Sequence, residues 1–492
     1  MKKICSSQLS NPSRRLGVRA MFIFSVAAAV MASAFAGVVY SPSSDVVVDT
    51  ERGSFADWWN GKQMTGNWFG LRDTLADRGL TFKGKYEGIF YGVIDSQRGA
   101  RGFYDQEVAI SSELDFAKFT GVDAIKGLTG FGAVRYRDSR SDSNPNNFVQ
   151  ASSLFQPSSN QSGTQWRLLS FGLEYATPEM FGVEKFLTVR GGWLQPQKEF
   201  IDQPLSKLFE NNAIESAKGI GGNIPFSSSF STWGGTLQIK PSKKSYAKAA
   251  LFMAFPQSTT SSNHGLAFEG FAQDPSQNGL FAMAEAGITP DLGASELPGK
   301  YAMGGYYYGQ QKNSFNGTNN YGQYGLYWQA DQMLFRESSP APEPEVFEKG
   351  SGKNVVASGK NFKEPVSPEK PELSTQGLYT FNLLTFAPKY NNLYPFYFHS
   401  GLVYEGLIPG RDRDRTMFAI AFGQYSYENI QNLQQQGRVN QPNYTIVLEW
   451  DYRMQLGGFT HVQPFCQYII QPNGTGAVKN ATILGVAYGM NF

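Results

Sequence analysis

The chain has 492 residues, with 43 Lys or Arg against 41 Asp or Glu and a net charge of +2. Only 17% of residues are charged, where soluble proteins average ~25%, while 14% are aromatic and 53 are glycine. The mean hydropathy of -0.34 and the lack of any run of 18 apolar residues after the first 36 exclude a bundle of membrane-spanning helices.

At the amino end, Lys2, Lys3, Arg14, Arg15 and Arg19 precede an apolar stretch from Ala20 to Ala32 and the small-residue pattern Ala34-Phe35-Ala36. This is the layout of an export signal peptide over residues 1–36, with Gly37 first in the mature chain. A single anchoring helix is the alternative, and the shortness of the stretch speaks against it. Removing the leader leaves 38 basic against 41 acidic residues, so nothing points to nucleic acid. Cys5 leaves with it. The remaining Cys466 forms no internal disulfide, and no residue cluster implies a metal or cofactor.

Residues 37–80 read as a polar periplasmic lead ending in a short helix over Trp68–Gly79, with Leu71 and Leu75 on one face and Gly79 as its stop. From Phe82 the period becomes two. Phe82, Gly84, Tyr86, Gly88, Phe90, Gly92 and Ile94 share one face, and Lys83, Lys85, Glu87, Ile89, Tyr91 and Val93 the other. A charged face of this length is costly inside a soluble sheet but suits a wet channel. Similar segments follow at 104–118, 128–137, 165–177, 185–195, 230–240, 245–255, 279–288, 299–310 and 322–335. After an insert come 375–387, 395–405, 413–427, 441–456, 459–470 and 478–492. The last ends on Leu484, Val486, Tyr488, Met490 and Phe492 facing one way. The pattern predicts an all-β fold: a transmembrane antiparallel β-barrel of about 16 strands over residues 81–492, in the outer membrane of a bacterial envelope.

An even strand number puts both barrel ends on the periplasmic side, so 138–164, 196–229 and 256–278 are external connections. The Pro-, Glu- and Lys-rich insert 336–374 falls on the periplasmic side and holds too few apolar residues for a core. Segment 196–229 carries Phe200, Phe209, Phe226, Lys198, Glu199, Asp202 and Lys207. Folded inward it would narrow the pore; otherwise it is a surface loop.

Alternation turns a set of charged residues toward the interior: Lys85, Glu87, Arg135, Arg137, Glu174, Arg190, Asp331, His399, Glu405, Asp451 and Arg453. A basic side chain placed in mid-depth lipid instead costs ~2–4 kcal/mol. Guanidinium and carboxylate groups of mixed sign hydrogen-bond vicinal hydroxyls, and aromatic rings stack on sugar rings, so the lining suits a neutral polyol. The same charges also serve simply to keep a lumen wet by pairing with one another. No G-x-S-x-G, H-E-x-x-H, C-x-x-C or phosphate-loop pattern occurs, and His264, His399 and His461 are far apart, so the expected role is a channel and not an enzyme. Arg411, Arg413 and Arg415 alternate with Asp412 and Asp414 as a self-neutralising turn.

Several stretches resemble the carbohydrate-selective porins of the OprB type. They are Asn67-Trp68-Phe69-Gly70 through Leu75-Ala76-Asp77-Arg78-Gly79-Leu80, Gln329 to Glu337, Gly401-Leu402-Val403-Tyr404-Glu405-Gly406-Leu407-Ile408-Pro409-Gly410-Arg411-Asp412, and Gln463 to Pro472. The resemblance runs from about residue 66 to residue 492. It implies a sixteen-stranded outer-membrane barrel for passive uptake of glucose or other small carbohydrates, with charged residues at the constriction. It also implies a terminal Phe492 read by the barrel-assembly machinery. Outer-membrane lipid, lipopolysaccharide and further copies of the chain are the other expected partners. A general non-selective porin and a structural or adhesive surface barrel are the competing functions.

Overall fold

The computed structural model describes residues 55–139, 145–152, 154–158, 160, 164–254, 264–266, 268, 279–337 and 374–492. The expected signal peptide and nearly all of the insert 336–374 lie outside these residues. Among them, sixteen strands form one closed antiparallel ring. In chain order they are β1 Leu80–Asp95, β2 Arg101–Asp115, β3 Leu128–Ser139, β4 Gln165–Ala176, β5 Leu187–Leu194, β6 Thr232–Ser242, β7 Ser245–Ala254 and β8 Gly279–Ile288. The second half comprises β9 Leu297–Asn313, β10 Asn319–Arg336, β11 Gly377–Phe386, β12 Phe396–Glu405, β13 Arg415–Gln424, β14 Tyr444–Gln455, β15 Thr460–Ile470 and β16 Ala481–Asn491. A two-residue ladder at Asp291–Leu292 extends the β8–β9 hairpin.

Each segment with period two became a strand, because alternation is the one pattern that serves lipid outside and polypeptide or water inside. Large apolar side chains such as Phe90, Leu173, Leu251, Met303, Leu326, Trp450 and Leu484 stand exposed on the outer wall. Where local signals compete, the ends differ from expectation. The segment 104–118 breaks at Asp115, whose carboxylate caps a helix over Phe116–Thr120 by accepting from the Lys118 amide. The segment 413–427 ends at Gln424, because Ser426 caps an external helix, Tyr427–Gln435, that period two did not reveal. The lead helix spans Leu71–Asp77 and starts later than expected, since Trp68 and Phe69 adopt left-handed φ of 52° and 59°.

β1 and β16 close the ring, with Gly88 opposite Tyr488 and Lys85 opposite Asn491. The outward glycines of β1 leave room for rings of the closing strand. A Cβ at Gly88 would meet the Tyr488 ring at 2.6 Å, and one at Gly84 would collide with the Phe492 ring. Aromatic rings from the last strand thus lie flat across glycines of the first. The hydroxyls of Tyr86, Tyr104 and Tyr488 bond one another at 2.7–3.1 Å, and Tyr86 donates to Gln106 at 3.0 Å, so these polar groups are satisfied on a lipid-facing wall. At the rim holding both barrel ends, Trp58 and Trp59 pack on Phe459 at 5.0 and 5.8 Å, and the Met64 amide donates to Asn491 O at 2.8 Å. Even-numbered strands run to that rim, so Arg336 and Ser374, flanking the insert, lie there too.

The interior is not uniformly wet. Two apolar clusters fill much of it. One gathers Ile89, Tyr91, Val93 and Phe103 with Leu154, Phe155, Phe209, Ile214, Phe381 and Tyr397. The other gathers Phe200, Ile220, Ile224, Phe226 and Phe230 with Phe252, Phe281, Tyr306 and Tyr327. Both take a third or more of their members from external connections folded inside.

Candidate functional site: a lane beside an inward loop

Between β5 and β6 the chain runs from Gln195 to Ser231 through the lumen, which decides the open question about segment 196–229. Short helices at Pro196–Phe200, Asn212–Glu215 and Lys218–Gly221 bury Phe200, Ile214 and Ile220 against the wall. Burying such a side chain stabilises by roughly 1.5–3 kcal/mol, so the several anchors of this loop make it a fixed element.

Polar contacts tie the loop to the wall on the side of β10–β15. Gln329 Nε2 donates to Phe200 O at 3.1 Å, and Gln203 Nε2 donates to Asn382 O at 2.9 Å. The Glu449 carboxylate accepts from the amides of Glu210 at 2.8 Å and Asn211 at 3.0 Å. Asn211 Nδ2 donates to Gln467, Gln463 donates to Leu208 O, and the Tyr397 hydroxyl donates to Ala213 O. The Tyr394 amide donates to Asn223 Oδ1 at 2.9 Å. On its return the loop touches the opposite wall. Arg135 Nη2 donates to Ser229 Oγ at 2.6 Å and Arg167 Nη1 to Ser229 O at 3.0 Å.

What the loop leaves open is a lane against β1–β5. A cavity of about 250 Å³ lies there, lined by Lys85, Glu87, Glu107, Arg135 and Arg137 on the wall and by Gln197, Lys198, Lys207, Phe209, Glu210 and Glu215 on the loop. A larger groove of about 870 Å³ beside Phe90, Tyr104 and Leu484 is on the lipid-facing wall, away from this chemistry. In the lane, Lys85 pairs with Glu87 at 3.0 Å, and Glu107 pairs with Arg137 at 2.5 Å and Arg135 at 3.7 Å. Arg190 sits 3.6 Å from Glu174 and 3.5 Å from the loop's Glu199, with its guanidinium 3.8 Å over the Phe131 ring. Burial, and then the neighbouring charges of Glu87 and Glu449, raise the Glu210 carboxyl well above the ordinary carboxylate range. Lys218 is lowered to about 8 by burial and by the charge of Arg137, against the pull of Glu215. Its side chain is half-buried.

The structure separates the eleven candidate residues into three places. Lys85, Glu87, Arg135 and Arg137 line the lane, while Glu174 and Arg190 lie outside its lining and pair with each other and with the loop's Glu199. Asp331, His399 and Asp451 face inward beneath the loop and hold it or its anchors. Asp331 accepts from Gln203 at 3.3 Å, His399 Nε2 contacts Gln203 Oε1 at 3.0 Å, and Asp451 accepts from Gln463 at 2.8 Å. Glu405 and Arg453 belong to the periplasmic end, where Glu405 pairs with Arg415 at 2.8 Å and Arg453 donates to His461 at 3.1 Å. His399 and Asp451 are only 1% and 0% exposed, so solvent in the lane does not reach them.

Sequence reasoning missed Glu107, Glu285, Glu449 and Arg167. Glu107 and Glu449 stood at inward positions of expected strands and were readable by the same alternation. Glu285 sits in a strand blurred by alanines, and is held by Tyr246, Tyr327 and Gln329 at 2.7–2.9 Å. Arg167 was hidden by a bulge in β4, whose ladder with β3 steps from Ala133 opposite Ser170 to Val134 opposite Leu168 and so turns the odd-numbered Arg167 inward.

A sixteen-stranded barrel narrowed by an inward external loop is the architecture of a porin. The profile described as "Carbohydrate-selective porin, OprB family" matches residues 100–492. The chain is 22% identical over 464 residues to Porin B of Pseudomonas aeruginosa, covering 87% of this chain and 90% of that protein. It superposes on the high-pH structure of Pseudomonas putida OprB with a TM-score of 0.71 at 20% identity, covering 89% of this chain and 100% of that one. The protein belongs to the carbohydrate-selective porin family, OprB, and is a bacterial outer-membrane porin.

Proposed function

We propose that monosaccharides and short oligosaccharides diffuse down their gradient through the lane between β1–β5 and the inward loop. No chemical step accompanies passage. The observation that carries this reading is the fixed loop, which occupies much of the lumen and leaves beside β1–β5 a cavity of about 250 Å³ lined by groups of both signs. Lys85, Glu87, Arg135 and Arg137 hydrogen-bond sugar hydroxyls in turn, each weakly enough to release them. Glu174 and Arg190, beside Phe131, hold the loop through Glu199. Asp331, His399 and Asp451 act indirectly by fixing the loop, and Glu405 and Arg453 keep the periplasmic exit polar. Outer-membrane lipid and lipopolysaccharide surround the apolar wall, and Phe492 addresses the barrel-assembly machinery. A single copy already holds a complete lane, so oligomers would multiply lanes without building new ones.

Single-channel current in planar bilayers tests the reading. Glucose added to one side should reduce the current in a saturable way, while an uncharged polyether of equal mass should not. Equal reduction by both would identify a general, non-selective porin. A current near zero with no solute entry would favour a structural or adhesive barrel.

A further inference from the structure

The lead ahead of β1 folds into a pocket at the periplasmic rim. A helix over Phe55–Asn60 and the lead helix Leu71–Asp77 flank it, with the turns of residues 61–70 between them. It encloses about 280 Å³, at the small end of ligand pockets, which run upward from ~300 Å³. Its lining includes Asp57, Trp58, Lys62, Gln63, Arg72 and Asp73, and it shares no lining residue with the lane.

The lead is tied down around this pocket. Trp58 Nε1 donates to Met64 O at 2.8 Å, and the Met64 amide donates to Asn491 O at the end of β16 at 2.8 Å. The Gly458 amide donates to Trp59 O at 2.7 Å, while Trp58 packs on Phe459. Asn67 holds the far wall by accepting from the Asp73 amide at 3.0 Å. With its N–H used, the Trp58 indole offers only its ring to a ligand. Arg72 is the contrary case. Its guanidinium stacks over Trp68 at 4.3 Å, and Nη2 donates to Thr65 Oγ1 at 3.2 Å. Its Nε and Nη1 find no acceptor in the protein. A guanidinium with spare donors therefore stands in the lining, where ligand oxygens suit it.

Lys62 and Arg72 balance Asp57 and Asp73, and the amides of Gln63 and Asn67 complete the polar set. With no net charge in the lining, a charged ligand has little to gain from entering. A neutral ligand rich in hydroxyls meets both donors and acceptors there, beside an aromatic ring.

We propose that this pocket is a second saccharide site, which holds a pyranose ring at the periplasmic mouth through hydroxyl contacts to Arg72, Asp57 and Gln63 and packing on Trp58. Its ligand class follows from its own lining and does not depend on passage through the lane. A free sugar and a glycan strand of the cell wall present this same chemistry.

The test uses the full-length protein in detergent micelles, labelled with 5-fluorotryptophan and observed by fluorine NMR. Trp58→Phe identifies the Trp58 resonance by its loss. Glucose should shift that resonance saturably, and an uncharged polyether of equal mass should not. Arg72→Leu should weaken the glucose titration about tenfold, the scale of a lost charge-assisted contact. If Arg72→Leu moves the resonance before sugar is added, so that the lead itself has shifted, Lys62→Gln takes its place and should weaken binding about threefold. Tighter binding of maltose than of the N-acetylglucosamine–N-acetylmuramic acid disaccharide supports the site and assigns it to free sugars; the reverse order supports it and assigns it to the wall. No shift with any saccharide, an equal shift with the polyether, or an unchanged titration in the pocket variants would overturn the site. Glucose entry into liposomes is measured in parallel, and its absence would remove the passage reading alone.

Discussion

The two sides of the lumen are built from opposite chemistry. Against β10–β15 the loop is held by buried rings, amide side chains and carboxylates whose partners are all within the protein. Against β1–β5 it leaves a gap, and the wall there carries Lys85, Glu87, Glu107, Arg135 and Arg137 in ion pairs of 2.5–3.7 Å. The difference teaches how one external connection can be a structural core on one side and a polar lining on the other: Gln203, Asn211 and most of its rings pack on the wall, while Gln197, Lys198, Lys207, Glu210 and Glu215 line the gap.

The largest effect should come from abolishing the contrast. Replacing residues 197–228 by a short Gly-Ser linker should raise conductance about tenfold and eliminate saturable block by glucose, because no loop then narrows the lumen; single-channel recording reads both. Next is the packed side alone. Gly219 abuts Thr385 and Tyr397, where a Cβ has no room. Gly219→Val should destabilise by ~1–3 kcal/mol through overpacking and strain, seen as a lower temperature for loss of the heat-modifiable band. Glu449→Ala should cost about 1–3 kcal/mol for each amide left unpaired. Hydrogen exchange at Glu210 and Asn211 should accelerate while the strand amides stay protected.

The smallest effect belongs to the lane. Lys218 is cationic below about pH 8 and neutral above it. Glu210 is neutral below its raised pKa and anionic above it. Both changes remove positive charge as pH rises; the loss at Lys218 falls between pH 7 and pH 9, where the anion-to-cation permeability ratio should fall severalfold at most. Reversal potentials in a salt gradient measure it. Arg137 and Glu215 face Lys218, and Glu87, Glu449, Lys85 and Arg453 face Glu210, so a double variant Lys218→Met, Glu210→Gln should flatten the profile.

The barrel was legible in the sequence because lipid and lumen impose period two on every strand, even the alanine-rich 245–255 and 279–288. Inward orientation was legible for all eleven candidate residues for the same reason. Which of them meet solute was not, since that depends on a loop with no periodicity. A signal was nonetheless present: Phe200, Phe209, Ile214, Ile220, Ile224, Phe226 and Phe230 in one connection are too many apolar side chains to leave in water. Parity also failed at Leu168-Leu169, where two adjacent apolar residues disguised the bulge that carries Arg167 inward.

The ring-over-glycine pairs between the first and last strands also act as a key for closure. A slip of two residues keeps every side chain on its proper face, so alternation alone does not forbid it. Such a slip would set Tyr488 against the side chain of Tyr86 or Phe90 in place of the empty space above Gly88. The final stitch of the ring therefore rejects a near-miss that hydrophobicity would accept, and an assembling chain has one register in which its terminal aromatics can lie down.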